Sequence, residues 1–142
     1  MVRLMTSSPP SHTGGRPLSP HLRIYRFQIT SVMSILHRIT GAALAFGTIF
    51  LVLWLWAAAY SPPCFADIHS FFSGFLGRFM LFGWTVAFYY HFLNGVRHLC
   101  WDMGKGFDIP SVERSGWTVV AGCIALTVIS WIIAFTTGGT PS

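Results

Sequence analysis

Charge is the scarcest property of this sequence. Of its 142 residues only 9% are charged, against 53% that are apolar. A soluble domain carries about 25% charge, so this chain has too little to clothe a water-facing surface. Acid is scarcer than base, with four Asp/Glu against nine Lys/Arg and a net charge of +5. In a soluble protein such an excess would suggest nucleic acid. Here the basic residues lie almost wholly outside the apolar runs, so orientation in a membrane explains them and no nucleic-acid partner is expected. Cysteine is sparse and odd in number. Cys64, Cys100 and Cys123 show no short spacing, which points away from a disulfide framework or a thiolate metal site and towards apolar packing. A secretory signal is lacking as well, because Met1 to Arg16 contains no apolar stretch. Arginine without acid there would suit a short mitochondrial presequence. Its many prolines and weak amphipathicity favour a disordered tail over residues 1–15. No internal sequence repeat is present, and three spans cannot form the paired inverted halves of many transporters.

What the chain does have is long uncharged runs. Ile39 to Tyr60, Phe79 to Val96 and Ser115 to Thr137 contain no Asp, Glu, Lys or Arg. About 20 helical residues cross a hydrocarbon core. The pattern predicts an all-α integral membrane protein with three transmembrane helices, in an anchor domain over 16–142 with spans at about 30–60, 71–101 and 115–137. Thr30 or Ser31 is expected to cap the first helix, and Ser61-Pro62-Pro63 to stop it. Cys64 to Arg78 reads as a short connection and Lys105 to Arg114 as a polar loop. Trp117 and Trp131 bracket the third run at interfacial depth. Three spans put eight cations (Arg3, Arg16, Arg23, Arg26, Arg38, Arg97, Lys105, Arg114) on the N-terminal side and only Arg78 on the other. Positive charge stays inside, so the N-terminus is expected in the cytoplasm, or in the matrix of a mitochondrion.

Ionisable groups inside a span are costly and mark functional sites. His91 lies in the second run, twelve residues after Phe79 and six before Arg97. Neutral imidazole is a good haem-iron ligand, and Gly95 and His98 follow on the same helical face. A glycine there lets a flat porphyrin approach the backbone. The blander reading is a histidine hydrogen-bonded between helices. His98 cannot be the opposite ligand, because seven helical residues separate the two by about 10.5 Å with both side chains pointing the same way. Within the chain His37 and His69 are the only other candidates near a span. Their expected depths match His91 poorly, so a ligand from a partner subunit is expected. A second cluster, Ser34, His37 and Arg38, shares one face of the first helix. A hydroxyl and a guanidinium there can donate hydrogen bonds to a quinone carbonyl. Alternatively, Arg38 is an anchor snorkelling to lipid phosphate. Ser31, Tyr89, Tyr90, Asn94 and Arg97 carry weaker signals, with Arg97 read mainly as a stop to the second span. Gly41, Gly47, Gly83 and Gly122 are expected to permit close helix contact.

The run Arg16-Pro-Leu-Ser-Pro-His-Leu-Arg-Ile-Tyr25, followed by Ser34-Ile-Leu-His-Arg-Ile-Thr-Gly41, resembles the entry signature of the cytochrome b anchor of succinate dehydrogenase. His91-Phe-Leu-Asn-Gly-Val-Arg-His98, then Trp101-Asp102, resembles the haem-helix signature of that family. The resemblance implies a four-subunit complex with a flavoprotein, an iron–sulfur subunit and a small membrane-anchor subunit. It implies haem b as cofactor and ubiquinone as substrate. By matching position, His91 is the haem axial ligand, with the trans histidine from the small anchor. Ser34 and Arg38 match quinone-site residues, and His37, Arg38 and His98 lie near the haem propionates. Succinate oxidation itself belongs to another subunit. The expected location is the inner membrane of a bacterium, with a mitochondrial inner membrane second. A fumarate reductase anchor and a haem-free structural tether are the competing readings.

Overall fold

The computed structural model describes residues 29–138. Within them the chain forms four helices and no strand: α1 (Ile29–Tyr60), α2 (Pro62–Ser73), α3 (Phe75–Asp102) and α4 (Ile109–Thr137). The expected tail over 1–15 and the motif from Arg16 to Tyr25 lie outside the described residues. α1 and α4 are each long and apolar enough to cross a membrane, whereas α3 qualifies only together with α2, from which it is bent by 80°. By length and composition there are two membrane-crossing helices, or three if the bent pair is one span.

Local chemistry explains the boundaries, including those that differ from the sequence expectations. Thr30 and Ser31 lie inside α1 rather than capping it, since helix begins at least as early as Ile29. Pro62-Pro63 ends α1 but also opens α2, because proline suits the first helical turn, where its missing N–H has no partner to lose. The stretch expected as a connection is therefore largely helix. The corner between α2 and α3 falls at Gly74, and buried Gly77 lets it close: a Cβ there would collide with the Phe71 carbonyl and the Phe72 backbone. α4 starts at Ile109, six residues before the uncharged run. Asp108 caps it, its carboxylate accepting from the Ser111 N–H at 3.1 Å, and Pro110 lies in the first turn. Hydrogen bonding from the Ser111 side chain, and then from its backbone N–H, holds the Asp108 carboxyl below the usual carboxylate range.

α3 ends in a glycine cap. Lys105 N–H bonds the Cys100 carbonyl at 3.1 Å and Gly104 N–H bonds the Trp101 carbonyl at 2.7 Å, the paired bonds of a Schellman motif. Gly104 has φ +76°, a conformation that costs an L-residue about 1–2 kcal/mol. Gly104→Ala is therefore expected to destabilise the α3–α4 loop by about that much. Thermal inactivation of the detergent-purified protein reads it, and an unchanged midpoint would contradict the cap.

α3 is the central helix, packed against α4 on one side and α1 on the other. The small core joins Met33, Tyr90, Val119 and Cys123, with Ile29, Val86, Tyr89 and Leu93 around it. Most large apolar side chains face outward, among them Ile49, Phe50, Phe79, Phe92, Ile132 and Ile133. In water such a surface would aggregate; in hydrocarbon it is the required one. Hydroxyls on the outside follow the same logic. Thr48, Thr85, Thr118 and Thr137 each return a hydrogen bond to a carbonyl of the preceding turn at 2.7–2.9 Å, leaving no polar group to solvate. Gly47 and Gly122 do sit at close helix contacts, against Trp84 and Leu93, whereas Gly83 faces open space.

Candidate functional site

Three imidazoles from two helices converge. His37 on α1 and His91 on α3 stack face to face, with ring centroids 3.9 Å apart and planes within 4°. His98, two turns beyond His91, brings its ring to 5.2 Å from His37 at a tilt of 50°. This corrects the expected depth of His37: it lies level with His91, because antiparallel packing sets the first turns of α1 beside the second half of α3. It does not become a trans ligand thereby. Two rings in van der Waals contact leave no room for an iron between them.

The stack exists because α1 is bare at Gly41. A Cβ on Gly41 would lie 2.9 Å from His91 Cε1 and 3.4 Å from its Nδ1, so the absence of a side chain lets the ring reach the α1 backbone. There His91 Nδ1 meets the His37 carbonyl at 3.1 Å and the Thr40 hydroxyl at 3.3 Å. The carbonyl can only accept. Thr40 has one hydrogen, directed at the carbonyls of Leu36 (2.8 Å) and His37 (3.0 Å). The proton must therefore sit on Nδ1, leaving the Nε2 lone pair unused. A backbone carbonyl holding Nδ1–H is how proteins fix the tautomer of a metal-binding histidine. Gly95, one turn on, has nothing within 4 Å of where its Cβ would be. An imidazole with Nδ1–H committed and Nε2 unprotonated, on a helix face left bare at Gly95, has the chemistry to hold a haem iron. No group of three or more His, Cys, Asp or Glu able to hold a bare metal ion occurs among the described residues.

Ser34 and Arg38 are exposed on α1, in the same two turns as His37. Neither is drawn into the imidazole cluster by a hydrogen bond among the described residues. His69 is on α2, stacked on Phe65 at 5.5 Å. It lines a groove of about 910 Å³ near the α2–α3 corner, with Trp84, Arg78 and Trp131. That groove includes none of the three clustered histidines.

Arg97 departs most from expectation. It is not a headgroup-facing stop signal but a buried residue, 6% exposed. Its guanidinium donates to Ser115 Oγ and the Val112 carbonyl on α4, each at 2.9 Å. It also reaches Asn94 Oδ1 at 3.4 Å and Met33 Sδ on α1 at 3.8 Å. The indole of Trp101 lies 4.1 Å from it, a cation–π contact. Asn94 is fully buried, and its amide nitrogen lies 3.4 Å from His98 Nε2. Tyr90 donates to the Met33 carbonyl at 2.9 Å, and Tyr89 meets Ser130 at 2.6 Å, so both tyrosines tie helices together. The sequence alone gives Thr40 no prominence and Asn94 and Arg97 only weak signals. The spacing signal was present: Thr40 is three residues after His37, and Asn94 lies three after His91 and four before His98, all helical neighbours.

This arrangement sits within a recognisable family pattern. Residues 12–130 match the model of the succinate dehydrogenase/fumarate reductase transmembrane subunit. The succinate dehydrogenase cytochrome b556 subunit of Paracoccus denitrificans is 41% identical over 122 residues, covering 86% of this chain and 94% of that protein. The subunit of the same name from Rickettsia felis is 43% identical over 117 residues, covering 82% and 91%. The mitochondrial cytochrome b560 subunit of Sus scrofa is 41% identical over 120 residues, covering 81% of this chain and 67% of that one. With both motifs inside the match and relatives similar over most of their length, the chain belongs to the succinate dehydrogenase/fumarate reductase transmembrane subunit family.

Proposed function

We propose that this chain is the cytochrome b membrane anchor of a succinate dehydrogenase, holding haem b jointly with a small anchor subunit and forming part of the ubiquinone-reduction site. The observation that carries the reading is the 3.1 Å contact between His91 Nδ1 and the His37 carbonyl. It commits the Nδ1–H of His91 to that carbonyl, so Nε2 presents a lone pair on an intramembrane face. The names of the relatives, all succinate dehydrogenase cytochrome b subunits, support haem b and favour succinate oxidation over fumarate reduction.

In this reading the chain crosses the membrane three times, with the bent pair α2–α3 as the middle crossing. The imidazole cluster lies within the membrane towards its N-terminal side, which faces the cytoplasm of a bacterium. His91 would hold the haem iron from this chain, and the small anchor would supply the partner histidine, since among the described residues no second imidazole is placed to face His91 across an iron. When bound, haem b supplies a one-electron store. The remaining work belongs to side chains. Gly41 and Thr40 keep His91 in register with α1. Ser34 and Arg38, exposed on the same turns, hydrogen-bond a quinone carbonyl. Arg38 adds positive charge where negative charge develops, as ubiquinone takes two electrons from the iron–sulfur subunit and two protons from the adjoining aqueous side to become ubiquinol. The chain orients the groups, and the cofactors carry the redox chemistry.

The test is a reduced-minus-oxidised spectrum of the complex purified through a tag on this chain. A b-type haem spectrum with co-purifying flavoprotein and iron–sulfur subunits is expected. An assembled complex without haem would reduce the chain to a tether.

A further inference from the structure

We infer that Arg97 and Asn94 form a positioning pair that fixes His98 as an Nδ1–H donor aimed at an acidic oxygen of the bound group. The inference rests on the haem reading above and deepens it; the acidic oxygen is a haem carboxylate.

The argument runs from donors to acceptors. A guanidinium has five N–H donors and no acceptor. Arg97 is held on three sides, by Ser115 Oγ and the Val112 carbonyl on α4 and by Met33 Sδ on α1, so it cannot turn away. The Asn94 atom facing it, at 3.4 Å, must therefore be the amide oxygen. That choice forces the amide nitrogen, a donor, towards His98 Nε2 at 3.4 Å. Nε2 must then accept, and in a neutral imidazole the proton moves to Nδ1. Asn94 is fully buried and Arg97 6% exposed, so water offers little competition for these bonds. The result is a second histidine with its tautomer set by the fold. His91 is set by a backbone carbonyl to keep Nε2 free for metal. His98 is set by a side-chain amide to keep Nδ1–H free for an anion. A donor at a haem carboxylate offsets negative charge near the iron and so favours the reduced state. Neither Asn94 nor Arg97 touches the bound group in this proposal; both act through His98.

Two measurements on the purified complex test it. In potentiometric titration, Asn94→Leu is expected to keep full haem content and an unchanged axial-ligand spectrum but lower the midpoint potential. His98→Leu lowers it too, and the double variant lowers it no further than His98→Leu alone, because both act on one bond. A wild-type potential in Asn94→Leu, or additive shifts in the double variant, would overturn the proposal. Nitrogen NMR of 15N-histidine-labelled wild-type complex needs no altered fold. The His98 signals, assigned by their loss in His98→Leu, are expected to show a protonated Nδ1 and a bare Nε2, and the reverse pattern defeats the inference. If the wild-type complex contains no haem, the underlying function falls and the proposal with it. If haem is present and the potential is indifferent to Asn94, only the proposal falls.

Discussion

Replacing Arg38 with alanine is expected to lower quinone reduction by roughly 10- to 150-fold while succinate oxidation with an artificial acceptor continues. The range follows from the loss of a charge-assisted hydrogen bond, worth about 1.5–3 kcal/mol, converted to a rate. Arg38 suits such a test because it is exposed. Substituting a surface residue away from special features changes stability by only about 0.5 kcal/mol, so a selective loss reports on the ligand and not on the fold. Ser34, exposed one turn earlier, should give a smaller loss, as a neutral donor is worth about 0.5–1.5 kcal/mol. Equal loss of both activities would signal failed assembly. Unchanged quinone reduction would make Arg38 a lipid-phosphate anchor.

Haem content should fall sharply in Gly41→Val, and partly in Gly41→Ala. Even the alanine methyl would stand 2.9 Å from His91 Cε1. To give way the ring must shift within its stack on His37, 3.9 Å away. Overpacking of this kind costs about 1–3 kcal/mol, and here the cost falls on the register of the proposed ligand. Gly83→Ala is the control, since nothing lies within 4 Å of that position. Haem per mole of complex, measured as the pyridine haemochrome, reads the difference. Full haem in Gly41→Val would show that His91 does not depend on the bare α1 backbone.

The uncharged runs located α1, the body of α3 and most of α4, because the absence of charge is all that hydrocarbon demands. Their edges were harder to read. α2 was concealed because Pro62-Pro63 signals both an end and a beginning, and only the second meaning continues into helix. The early start of α4 was hidden behind Glu113 and Arg114, which read as loop. The better cue was Asp108 followed by Pro110, a cap and a first-turn proline.

The candidate site divides in the same way. His91, His98 and the Ser34–His37–Arg38 face follow from helical spacing within single elements. The stacking of His37 on His91 depends on how far α1 slides along α3, and no spacing within one helix encodes that. The burial of Arg97 was likewise invisible. A cation at the end of an apolar run looks like a headgroup anchor until Ser115, Val112 and Met33 are found around it. What the sequence held in plain view, and spacing alone could not rank, was Asn94 between two histidines and an arginine.

The central claim is that His91 Nε2 is an iron ligand, and the most direct measurement exchanges that ligand. In His91→Met, with all subunits still co-purifying, the haem is expected to change its axial-ligand spectrum and rise in midpoint potential, because thioether–imidazole ligation raises it over bis-imidazole; outright loss of haem would also agree. A haem with wild-type spectrum and wild-type potential in that variant would contradict the assignment of His91 Nε2 to iron.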